Sequence, residues 1–122
     1  MQNESSEHQA IYATIQDYFE GMYHRDTGRL RRAFHPSAVL FGHFKGAFVQ
    51  IPLDQWMGMV EKGPIPADKE PFDMQIVSCD ITGEVAFVKV KDLYLGRRFT
   101  DYLSLAKTGG CWTIVNKTFH HD

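Results

Sequence analysis

Apolar positions along the chain follow two periods, one after the other. Ile11, Ile15, Tyr18, Phe19 and Met22 recur at i, i+4, i+7, i+8 and i+11, one stripe of an amphipathic helix. Ser6-x-x-Gln9 ahead of them fits a capping box. Gly21 sits beside the stripe, where glycine costs about 1 kcal/mol against alanine but permits close packing. Asp26 is placed to cap a second, short helix with Leu30, Ala33 and Phe34 on its inner face. His35-Pro36 ends that helix, because a residue before proline is pushed out of the α region. His35 is expected to bond a backbone carbonyl there.

The run 38–44 is short, apolar and aromatic and reads as a strand, with Lys45-Gly46 turning it into a partner over 47–51. Pro52 suits the first position of a third helix, whose stripe is Leu53, Trp56, Met57 and Val60 and whose stop is Gly63-Pro64. "GPIPADKEP" holds three prolines and reads as a surface loop. From there the period is two. Strands are predicted over 72–81, 85–95, 98–107 and 112–120, separated by turns at Thr82-Gly83, Gly96 and Gly109-Gly110. Short connections force antiparallel neighbours. The order α-α-β-β-α-β-β-β-β therefore predicts an α+β fold with helices on one face of a curved, mostly antiparallel sheet.

Composition narrows the picture. The 122 residues favour one domain spanning the chain and suffice for a core without staples. Nine Phe, five Tyr and two Trp are more rings than average, and rings fill cores, line pockets or cover interfaces. Net charge is −2, and the one basic cluster, Arg29, Arg31 and Arg32, reads as a solvated helix face, so no nucleic-acid partner is expected. No apolar run reaches membrane-spanning length, and "MQNESSEHQ" is not a signal peptide. Cys79 and Cys111 are far apart in sequence and read as free, buried thiols, which places the protein in the cytoplasm.

Three stretches carry a family likeness: "YFEGMYHRDTGRLRRAFHPSAVLFG", "LDQWMGMV" and "FTDYLSLAKTGGCWTIVNKTFH". Through them the chain, from about Ile11 to His120, resembles the nuclear transport factor 2-like superfamily and, within it, the lumazine-binding, SnoaL-like group. The resemblance implies a cone in which a bent sheet wraps the helices and leaves an apolar pocket at its wide end. It also implies a homodimer packed through the sheet. Members include ketosteroid isomerases, polyketide cyclases and scytalone dehydratases, while others only bind, so fold does not fix function.

Against a ketosteroid-isomerase-like pattern, the tyrosine that donates to a developing oxyanion falls on Tyr18. The strand aspartate that acts as base falls on Gly42, which can move no proton. The second oxyanion donor falls near Tyr102, with Asp101 beside it, and a one-residue slip decides which of them faces inward. Gly42 on the pocket face widens the pocket or lets a ligand approach the backbone. Each candidate has a plainer alternative. Tyr18 can be an ordinary buried tyrosine, and Asp101 can pair with Arg97, Arg98 or a neighbouring strand's lysine. Asn116 and Lys117 can reach a ligand carbonyl or carboxylate, or line a solvated edge.

No histidine pair has metal-presenting spacing, no G-x-S-x-G occurs and no glycine loop for a nucleotide is present, so no metal and no cofactor are expected. The leading expectation is a small-molecule-binding protein with an aromatic-lined pocket built from Tyr18, Met22, Leu40, Gly42, Trp56, Tyr102 and Phe119. The group's lumazine-binding label points to a flat, pterin-like ligand. Two rivals stand beside it. One is an isomerase, cyclase or dehydratase using Tyr18 as donor and Asp101 as acid or base. The other is an interaction module whose dimer surface is the function. A pocket acid with a strongly shifted pKa beside a donor separates enzyme from binder.

Overall fold

The stripe that begins at Ile11 forms α1 (Ser6–His24) in a computed structural model that describes residues 5–63 and 70–122. Its N-cap is Ser5, one residue earlier than the capping box predicts, and the Ser5 hydroxyl accepts from the His8 amide. Arg25 closes α1 in the left-handed region, and Asp26 then caps α2 (Thr27–Ala33) by accepting from the Arg29 amide. Gly21 lets the two helices touch, since a Cβ there would lie 2.7 Å from the Leu30 Cγ.

Strand β1 (Phe34–Phe44) starts earlier than expected and takes in His35-Pro36, because the helix has already ended at Ala33. The pairing of β1 with its neighbour shifts register between Phe34 and Val39, which absorbs the proline and its missing amide. The His35 ring accepts from the Ser37 amide through Nδ1 instead of donating to a carbonyl. β2 (Ala47–Pro52) returns along β1, and Pro52 serves as the N-cap of α3 (Leu53–Lys62). Arg25 reaches across to donate to the carbonyls of Val60 and Glu61 at the end of α3, where orphan acceptors accumulate. Most of the proline-rich stretch, 64–69, lies outside the described residues.

A meander of β3 (Met74–Thr82), β4 (Val85–Tyr94), β5 (Arg97–Thr108) and β6 (Cys111–His121) completes one six-stranded sheet, in the order β2-β1-β6-β5-β4-β3. All neighbours are antiparallel except β1 and β6, which run parallel. The three helices lie on the inner face. Ile11, Ile15, Met22, Leu30, Leu53 and Met57 meet Val88, Val90, Leu103, Leu105 and Ile114 there in one buried core. Two bulges tune that face. On β3 the register shifts between Ile76 and Ser78, so Met74 and Ile76 face inward and, after an extra residue, so do Cys79 and Ile81. On β6 Ile114 pairs with Leu105 and Asn116 with Ser104, leaving Val115 as the extra residue. Trp112 and Ile114 thus share a face with Lys117 and Phe119, which strict alternation forbids. Among the described residues, no helix is long and apolar enough to cross a membrane.

Candidate functional site

The wide end of the curved sheet is not filled. A cavity of about 670 Å³ opens there between α3, the inner sheet face and the β1–β2 and β4–β5 turns. Met22, Leu40, Trp56 and Phe119 line it, with Phe44, Tyr94 and Phe99 adding further rings. Among the described residues, its charged lining residues are Asp92, Lys45, Lys62, Arg97 and Lys117.

Asp92 follows Ala86, Val88 and Val90 on the buried face of β4, and only 2% of its surface is exposed. Val90 pairs with Asp101 and Asp92 pairs with Phe99, so the two aspartates are diagonal neighbours on the inner face. Asp101 is fully buried, and the Tyr18 hydroxyl donates to its Oδ2 at 2.6 Å. That length is typical of a bond onto a charged oxygen. Burial, first of all, and then the charge of Asp101 and the Tyr18–Asp101 bond hold the Tyr18 phenol well above its ordinary range, so it stays protonated. Asp92 is pushed up to about 9 by burial, then by the charge of Asp101 and a hydrogen bond with it, against a downward pull from Lys117. The Oδ1 atoms of both residues are buried without a hydrogen-bond partner.

Lys117 reaches the same face from β6 and is 6% exposed. Its ammonium stands 4.5 Å from the Trp56 ring centroid, 5.0 Å from that of Tyr18 and 5.5 Å from that of Phe119. Such ring faces attract a cation but cannot replace the acceptors that water gives it.

Several positions expected at the pocket lie elsewhere. Tyr18 is fully buried behind Trp56 and Lys117 and touches the site through Asp101 instead of forming the wall. Gly42 faces inward but contributes no open space, since a Cβ there would lie 2.3 Å from the Phe119 carbonyl oxygen. Its role is the close approach of β1 to β6. Tyr102 points to the outer face, 45% exposed and tilted against Phe87, because the register turns Asp101 inward. Asp101 pairs with the Tyr18 hydroxyl and not with a flanking cation; Arg98 pairs with Asp73. Asn116 donates to the Val39 carbonyl. The residue missed in the sequence is Asp92, although it continues the Ala86-Val88-Val90 alternation. Lys89 and Lys91 just before it disguise it as a surface position. Among the described residues, no three His, Cys, Asp or Glu side chains converge as metal ligands do.

Known proteins match this arrangement over nearly the whole chain. The sequence profile of a family described as "Putative lumazine-binding" matches residues 6–120. This chain belongs to that family. Solved structures place the lumazine-binding-like chain in the nuclear transport factor 2-like superfamily. One is a protein of unknown function from Silicibacter pomeroyi, 29% identical, with a TM-score of 0.87 over 98% of this chain and 100% of the other. A second, from Shewanella baltica and also of unknown function, is 26% identical, with a TM-score of 0.85 over 100% and 98%. A ketosteroid isomerase-like protein from Erwinia carotovora shares the fold at 16% identity and a TM-score of 0.68, over 93% and 94%. Among curated proteins, an aldolase called FrzH from Cladobotryum sp is 27% identical over 95% of this chain and 92% of its own length. The three helices on a six-stranded sheet are the α+β cone that these neighbours share.

Proposed function

We propose that the cavity binds a small carbonyl compound and that Asp92 moves a proton on it. The observation that carries this reading is a carboxyl on the cavity wall, kept protonated by burial and by Asp101, with Tyr18 anchoring Asp101 from behind. A neutral acid in a mostly apolar cleft is what general acid catalysis near neutral pH requires. In an aldol-type addition the enol form of one carbonyl compound supplies the electron pair of the new carbon–carbon bond; Asp92 protonates the acceptor oxygen as its C=O π bond breaks, and the carboxylate so formed takes the proton that the enol hydroxyl loses. In the reverse direction it takes the proton back as the carbon–carbon bond breaks. By donating to a carbonyl oxygen the same acid promotes enolisation, in which the proton on the neighbouring carbon leaves to water. The name of the Cladobotryum relative favours this class over isomerisation, as does Gly42 at the position where an isomerase-like base would stand. Binding alone is the second reading, favoured by the family description and by a lining of Trp56, Phe99 and Phe119 that suits a flat, pterin-like molecule. The outer sheet face, with Phe48 at 64% and Tyr102 at 45% exposure, supports a homodimer through the sheet.

Exchange of deuterium into the carbon next to a carbonyl, followed by NMR over a panel of aldehydes and ketones, tests the enzyme reading. The wild-type protein is expected to catalyse exchange on some panel members, and Asp92→Asn to lose about a hundredfold or more of it. Exchange that survives in Asp92→Asn removes Asp92 from the chemistry. No exchange by the wild-type protein leaves binding as the function.

A further inference from the structure

The charges around the cavity do not match those of the chain. The whole sequence carries a net −2, yet among the described residues the charged groups of the lining are four cations and one carboxyl. That carboxyl, Asp92, is the protonated one. Among the described residues every ion pair lies elsewhere, so Lys45, Lys62, Arg97 and Lys117 have no carboxylate within 4.0 Å. Three of the cations ring the mouth. Lys45 sits in the β1–β2 turn, Arg97 just after the β4–β5 turn and Lys62 at the end of α3. Lys45 and Arg97 each stand 5.4 Å from the Phe44 ring centroid, which holds both at the rim.

Lys117 is at the other end of the path. An ammonium removed from water has three donors to satisfy, and an uncompensated buried charge is costly. Three aromatic faces lower that cost without accepting hydrogen bonds in the ordinary sense. Lys117 itself lines the cavity.

We propose that the cavity takes an aromatic carboxylate, its flat body against Trp56 and Phe119 and its anionic group on the Lys117 ammonium, drawn in past Arg97 and Lys45. This inference rests on the cavity being a ligand site, but not on Asp92 moving a proton. Combined with the Asp92 chemistry it makes the substrate an oxo acid, with the carbonyl at Asp92 and the carboxylate at Lys117. Lys117 is then a binding residue that sets specificity by charge. Arg97 and Lys45 act before contact, by attracting anions across a distance that salt screens.

Two fluorescent probes of nearly one shape separate charge from shape: 1-anilinonaphthalene-8-sulfonate, an anion, and N-phenyl-1-naphthylamine, which lacks the sulfonate. The wild-type protein is expected to bind the anion about tenfold or more tightly than the neutral probe, the worth of one charge-assisted bond. Lys117→Met, close in length and suited to the aromatic cage, is expected to erase that preference while keeping the neutral probe. Tyr102→Ser on the outer face should change neither, which locates the probes in the cavity. The double variant Arg97→Gln with Lys45→Gln leaves the core untouched and should slow association of the anion and flatten its salt dependence. Equal affinity for the two probes, an anion preference that survives Lys117→Met, or an unchanged salt dependence overturns the proposal. Failure of both probes to bind overturns the ligand site itself. Anion preference with no deuterium exchange leaves this inference standing and removes only the acid chemistry.

Discussion

Asp92 is where one residue alters the behaviour of the protein with pH. In the native state it keeps its proton up to about pH 9, whereas an unfolded aspartate releases it near pH 4. Between those values the native state binds the extra proton, so this group's contribution is full below the unfolded pKa and declines as pH rises. The decline reaches about 1.4 kcal/mol per pH unit from this residue alone. Urea unfolding at pH values from about 5 to about 8.5 should therefore show stability falling more steeply in the wild-type protein than in Asp92→Asn. Equal slopes would mean that Asp92 ionises normally. Much of this residue's character stood in the sequence, in the spacing Ala86-Val88-Val90-Asp92. What hid it was its partner. Asp101 is nine residues away along the chain and becomes a neighbour only through the β4–β5 register.

At the scale of elements, the two periods of the apolar pattern account for helices and strands because burial on one face dictates both. They do not account for the bulges. Val77 and Val115 each follow an isoleucine and precede a polar residue, and nothing local marks which residue of the pair is extra. Register against the neighbouring strand decides it. For the same reason the direction of Lys117 was open, since it faces inward only because Val115 drops out of the ladder. Gly42 is the counterpart on β1. The sequence flagged a glycine in a strand, and the structure gives its cause in the backbone of Phe119. Gly42→Ala forces β1 and β6 apart and should cost about 1–3 kcal/mol or more, read as a lower urea midpoint. A variant as stable as wild type would show that the strands can separate freely there.

The sheet, taken whole, divides its labour by face. The inner face carries the helices, the core and the cavity, and the outer face leaves Phe48, Val85, Phe87 and Tyr102 in water. Phe87 and Tyr102 are neighbours there, with ring centroids 5.5 Å apart. If two copies meet through this face, sedimentation of the wild-type protein gives a dimer, and the pair Phe87→Lys with Tyr102→Lys gives a monomer with its cavity unchanged. A wild-type monomer at micromolar concentration would exclude the sheet-packed dimer. The strand order has a further outcome for how the molecule comes into being. β6 lies between the β1–β2 hairpin and the β3–β5 meander, and it is the last of the six to be synthesised. Until it leaves the ribosome, the two halves of the sheet share no edge. The nascent chain must hold an unpaired hairpin and an unpaired meander apart, exposed to misassociation, and the strand that joins them also delivers Lys117.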